Sequence, residues 1–173
     1  MQSTLAAPPA KAPAVKLDKR TGKYLTFIIG KEEFGVGVLK VREIMGIQDI
    51  TAVPQTQPYS KGVINLRGKV IPVIDLRLKF GLPGIDYTQR TCIIVVQVKT
   101  GSALLLMGIV VDEVSEVITI ASGEIEDTPD FGANVATSYI LGMAKMKGKV
   151  KILLDINEVL TSQEIHGLEA VIQ

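Results

Sequence analysis

K-V-I-P-V-I-D-L-R-L-K-F at residues 69–80 and K-V-K-I-L-L-D-I-N-E-V-L at residues 149–160 are two versions of one pattern. Set 80 residues apart, each opens on a basic residue, runs through an apolar stretch of strand length and ends on an aspartate, Asp75 or Asp155. The glycines agree as well, Gly62 with Gly142 and Gly68 with Gly148. A second match, at an offset of 73, brings Phe34 to Met107, Val41 to Val114 and Glu43 to Glu116. A seven-residue insertion between the two blocks reconciles the offsets. An internal repeat of this kind predicts two related β subdomains. The aspartates read as equivalent N-caps at the ends of two strands.

Working outward, short β-type runs recur at 24–29, 34–44, 63–66, 70–74, 91–98, 103–111, 114–120 and 150–154. The run 34–44 alternates imperfectly, which predicts a bulge or bend near Gly35 or Gly37. Lys99-Thr-Gly-Ser102 reads as a hairpin turn. Helix signals are few: a turn of helix from Asp75 ending before Gly81, and a helix from Asp155 to about residue 162, extendable over 163–172. Five or six short strands per half suit a small closed barrel, which hides its strand edges, and two barrels side by side leave a groove.

Composition agrees with a β protein. Apolar residues make up 47 % of the 173-residue chain, aromatics 5 %, and there is no Trp. Val, Ile and Leu therefore build the core, and the first two favour strands. Residues 1–22, rich in Ala, Pro and Lys, read as a disordered tail, 23–165 as the domain, and 166–173 as a tail or helix end. Residues 1–23 carry a net +4 and the rest −3, so the folded part has no electrostatic footprint for nucleic acid. No signal peptide or span-length apolar stretch is recognised, and a cytoplasmic location is expected.

Chemistry-bearing patterns are scarce. The chain has one His, His166, and one Cys, Cys92, the latter inside an apolar run where it reads as a small core residue. No catalytic residue, metal set or cofactor is expected. Gly35-Val-Gly37 lacks the third glycine of a dinucleotide fingerprint, and no phosphate loop is present. What stands out is polar residues among strands. Gly68 serves the turn of Asn65-Leu-Arg67-Gly68, but nothing in the pattern requires Arg67 to be arginine. Its planar five-donor guanidinium suits a partner's carboxylates or carbonyls, or an internal Glu. Glu43, a carboxylate among hydrophobes, is a candidate for the same surface or for an ion pair with Arg67 or Lys69.

Val38-Leu-Lys-Val-Arg-Glu-Ile44, Gly62-Val-Ile-Asn-Leu-Arg-Gly68, Ile71-Pro-Val-Ile-Asp-Leu-Arg77 and Gly108-Ile-Val-Val-Asp112 with Val114 and Val117 resemble, in order, the motifs of the CheW family. The resemblance covers about residues 23–165. It implies a mainly β fold of two intertwined SH3-like five-stranded barrels with short helices and a C-terminal helix. It implies a non-catalytic adaptor that couples chemoreceptor cytoplasmic tips to the histidine kinase CheA, through the kinase's regulatory domain, in association with membrane receptor arrays. Carried over by position, the receptor-binding residues are Val41, Glu43, Ile44, Gly62, Asn65, Arg67 and Val117. Kinase contacts are less motif-bound and are sought on exposed apolar positions such as Phe34 and Val36. Alternatives are an SH3-like interaction module of another pathway, or a nucleic-acid binder, against which the −3 charge and few aromatics argue.

Overall fold

The structure, a computed structural model, describes residues 18–132, 137–160 and 164. It is mainly β, with two sheets. The first half supplies β1 (Gly22–Ile29), β2 (Glu32–Gly37), β3 (Val41–Gly46), β4 (Ser60–Leu66), β5 (Lys69–Asp75) and a short helix α1 (Leu76–Lys79). The second supplies β6 (Cys92–Thr100), β7 (Ala103–Val111), β8 (Glu113–Ile120), β9 (Ile125–Glu126), β10 (Ile140–Met146) and β11 (Lys149–Leu154).

Each half lends its first hairpin to the other. One sheet has the order β3-β6-β7-β5-β4 and the other β8-β1-β2-β11-β10-β9. The exchange is symmetric: β5 runs parallel to β7 at Val73↔Gly108, and β11 runs parallel to β2 at Leu153↔Gly35. The chain changes sheet at the 3-10 turn Val38–Lys40, between β2 and β3, and again at Asp112, between β7 and β8. The bend expected near Gly37 is this crossing.

The repeat is visible atom by atom. Asp75 N donates to Tyr59 O at 2.8 Å, and Asp155 N to Tyr139 O at 2.8 Å. β4 and β10 have the same burial pattern along their lengths. The β4–β5 turn holds Arg67 at φ 50 and Gly68 at φ 87; the β10–β11 turn holds Lys147 at φ 53 and Gly148 at φ 76. Two consecutive positive φ values give the primed turn that matches strand twist.

Apolar clusters fill three places. The largest joins Phe27, Phe34 and Val36 of one sheet to Ile94, Val96 and Ile109 of the other. A second packs Ile64, Ile71, Ile93 and Val95 on the opposite face of the five-stranded sheet, and a third surrounds Tyr24, Ile120 and Leu153. β6 is thus covered on both faces, which explains its unbroken apolar run. The edges of the five-stranded sheet are linked, since Thr51, after β3, exchanges two backbone hydrogen bonds of 2.9 Å with Val63 of β4.

Several expectations are corrected. Phe34 and Val36 are 7 % and 0 % exposed, because β2 lies between β1 and β11 with both side chains in the inter-sheet core; they present no exposed surface. Residues before Lys23 already belong to the fold: Arg20 pairs with Asp18 at 2.8 Å and Asp127 at 2.9 Å, and Tyr24 Oη donates to Arg20 O at 2.6 Å. After Asp155 the chain makes turns through Leu160, not a helix. Asp155 O accepts from Glu158 N at 2.9 Å, so the capping signature there closes one turn, and Ile156, Val159 and Leu160 bury directly into the inter-sheet core. Apart from Glu164, which is helical, the expected C-terminal helix and His166 lie outside the described residues. Strand β10 was not among the expected runs, since Leu141-Gly-Met-Ala144 has no β-branched residue.

Candidate functional site

The expected residues fall into four groups. Asn65 and Arg67 belong to the β4–β5 hairpin, and Glu43 to β3, on opposite edges of the five-stranded sheet. The turn is shaped locally, because Asn65 Oδ1 accepts from Gly68 N at 2.8 Å. The turn aims the Arg67 guanidinium at Glu43: Nη2 donates to Oε1 at 2.5 Å and Nη1 to Oε2 at 3.3 Å. The hydrogen bonds and charge of Arg67 hold the Glu43 carboxyl below the usual carboxylate range, against a smaller opposing effect of burial. The pair spans the two edges, so Arg67 does have a structural partner that the motif alone did not demand. It is not sealed, however, because the Arg67 side chain is 73 % exposed. A charged fork fixed by a rigid turn and open to water is suited to orient an incoming carbonyl or carboxylate.

Val41 and Ile44 share β3 with Glu43 but not one face. A register slip at Arg42 divides them: Val41 and Ile44 pair with Val96 and Ile94, on the inter-sheet face, whereas Glu43 and Met45 pair with Val95 and Ile93, on the other. Ile44 therefore stands on the side away from the ion pair. Gly62 is buried with φ +134, and a Cβ there would lie 2.0 Å from Thr51 O. Its requirement is backbone approach, not partner contact through a side chain. Val117 is exposed on β8 of the other sheet, paired with Leu25. It is the repeat equivalent of Ile44, so the two exposed aliphatics are counterparts and not members of one cluster.

One residue beside the hairpin escaped the sequence reading. Val70 sits opposite Asn65 in the β4–β5 ladder and is exposed, an aliphatic surface on the same hairpin as Arg67. Its signal was available, since the strand alternation places it on the outer face. Leu39 and Phe131 are also exposed, and nothing in their local pattern marked them. Among the described residues there is no group of three His, Cys, Asp or Glu that could hold a metal ion, and no helix long and apolar enough to cross a membrane. Cys92 Sγ lies 3.3 Å from Arg90 O, half-buried against the inter-sheet core.

The whole pattern has close counterparts. The family model described as the CheW-like domain matches residues 23–164. The chain is 38 % identical over 143 residues to the chemotaxis protein CheW of Klebsiella aerogenes, covering 83 % of this chain and 84 % of that one. It is 35 % identical over 145 residues to the Bacillus subtilis protein of the same name, covering 83 % and 90 %. Among solved structures, the scaffolding protein TtCheW of Thermoanaerobacter tengcongensis superimposes with a TM-score of 0.73 at 32 % identity, covering 83 % of this chain and 97 % of that one. With the intertwined sheets, the Asn-Leu-Arg-Gly hairpin and these likenesses together, the chain belongs to the CheW family and is a non-catalytic adaptor of chemotaxis signalling.

Proposed function

We propose that the chain bridges the cytoplasmic tips of chemoreceptors and the regulatory domain of the kinase CheA, and does so in the cytoplasm at membrane receptor arrays. The observation that carries this reading is the Arg67–Glu43 fork, its guanidinium exposed and set on a primed turn whose hairpin also exposes Val70. Val70 supplies apolar area worth about 25 cal/mol per Å² on burial, and the fork supplies orientation. Glu43, Asn65 and Arg67 form the receptor side; Gly62 supports it through the backbone, and Val41, Ile44 and Val117 extend it on other faces. The burial of Phe34 and Val36 moves the kinase contact to other residues. Ligand-driven changes in the receptor would then shift the kinase between states by a coupling free energy of about 1–3 kcal/mol.

Arg67→Ala tests the assignment. An exposed ion pair contributes little to stability, so the variant stays folded. In a reconstituted assay of receptor fragments, kinase and adaptor, the variant is expected to lose receptor-dependent kinase control by about tenfold or more, equal to about 1.4 kcal/mol of coupling. Unchanged control with Arg67→Ala would remove Arg67 from the docking surface.

A further inference from the structure

The repeat builds the joint between the sheets twice, and the two copies differ. Strand registers fix which residues correspond. Val41 pairs with Val96, and its equivalent Val114 pairs with Phe27, so Phe27 and Val96 are equivalents. Counting equal steps from these anchors matches Thr21 with Arg90, Gly30 with Lys99, Leu39 with Asp112 and Lys40 with Glu113. Asn157 matches Arg77, each two residues beyond its repeat aspartate.

In the first copy, ion pairs close the joint. Arg77 Nη1 donates to Asp112 Oδ2 at 2.7 Å, and the same oxygen accepts from Gly30 N at 2.7 Å. Arg90 lies 3.9 Å from Glu113. In the second copy, all four of these charges are changed. Asn157 stands for Arg77, Leu39 for Asp112, Thr21 for Arg90 and Lys40 for Glu113. Asn157 Oδ1 accepts from Lys99 N at 2.8 Å, so the backbone amide is still satisfied, but among the described residues the space beside it stays open. The result is a pocket of ≈ 560 Å³ whose lining includes Thr21, Leu39, Lys40 and Asn157. Leu39 is 88 % exposed at its mouth. Lys19 and Lys23 stand on the same rim, and among the described residues none of these three lysines makes an ion pair. The only acid in the lining, Asp155, is turned to Asn157 N at 3.1 Å.

We propose that this open joint is a docking pocket for a segment of a partner protein that presents carboxylates beside an aliphatic side chain. The two carboxylates that close the first copy are replaced by Leu39 and Lys40 in the second. A partner would supply the missing negative charge to the lysine rim, and its aliphatic side chain would cover Leu39. The site lies apart from the Arg67 fork, since neither Arg67 nor Glu43 lines it. Residues 1–17, which precede the rim in sequence, carry Lys11 and Lys16 and no acid, so charge disfavours them as the occupant.

The test uses the full chain and a fluorescein-labelled peptide of alternating Glu and Leu, with an alternating Lys and Leu peptide as control. Saturable binding of the acidic peptide alone is expected, weakened at least tenfold by Leu39→Ser with Lys40→Glu and unchanged by Arg67→Ala. Amide shifts at Thr21, Leu39 and Asn157 should move on titration. Absent binding, binding of both peptides alike, or binding indifferent to the Leu39/Lys40 variant would overturn the pocket assignment. So would a photo-crosslink from position 39 of the free chain to its own residues 1–17 or 161–173. Arg67→Ala reports separately on the receptor surface, so either assignment can fail while the other stands.

Discussion

Among individual residues, Gly62 shows how a motif position and a physical role separate. The family pattern marks it as part of the receptor side, whereas the backbone gives it a different necessity. Its φ of +134 and the closeness of Thr51 O leave no room for a Cβ. Backbone strain of this kind costs about 1–3 kcal/mol before the clash is relieved. Gly62→Ala is expected to lower the unfolding free energy by at least that much, read from the shift in urea midpoint followed by circular dichroism. A variant that kept wild-type stability while losing receptor binding would instead make the glycine a contact residue. Arg67 was singled out in the sequence because an arginine at a turn lacks a local reason, and its exposure agrees. For Glu43, Arg67 and Lys69 were both open as ion-pair partners, because spacing alone does not say which edge strands a sheet will bring together. The burial of Phe34 and Val36 was hidden for the same reason: alternation shows that a strand has two faces, not that both will be covered.

Among elements, the two strand-end aspartates look alike in sequence and differ in structure. Asp75 is 4 % exposed; its Oδ1 accepts from Arg77 N and Leu78 N, and its Oδ2 accepts from Tyr87 Oη at 2.9 Å. Burial first, then the nearby carboxylate, pushes the Tyr87 hydroxyl above its ordinary pKa, so it remains a donor. Asp155 is half-buried and its side chain accepts from Asn157 N. Asp75→Ala should therefore cost about 1–2 kcal/mol for the cap, and more for the orphaned tyrosine, while Asp155→Ala costs about 1 kcal/mol or less. Thermal unfolding of the two variants side by side checks the order; equal losses would contradict it. The sequence revealed both caps, but not that only one would start a helix, because a capping signature reports the first turn and tertiary packing decides the rest. Another local device was invisible in the sequence. Thr26 Oγ1 donates to Glu116 O at 2.9 Å and accepts from Glu116 N at 3.1 Å, patching the ladder where the β1–β8 register slips. An interior threonine reads as an ordinary strand residue until the bulge is known.

The repeat explains the architecture of the whole molecule, and its imperfections explain the candidate sites. Two related halves exchange their first hairpins, so neither sheet is made by one half alone. The repeat was readable from Gly62/Gly142 and Asp75/Asp155, but the exchange itself is a matter of long-range pairing. Where the halves agree, the residues serve turns, caps and core. Where they differ, at Arg67 against Lys147 and at Asp112 against Leu39, the surface becomes individual. That difference gives the adaptor faces that are not copies of one another. The central claim is that this chain joins receptor to kinase, and the direct measurement is kinase autophosphorylation with receptor fragments in the presence and absence of the chain. The account predicts that receptor control of the kinase appears only when the chain is added and scales with its occupancy of a ternary complex. Receptor control that is complete without the chain, or a chain that binds neither component, would contradict it.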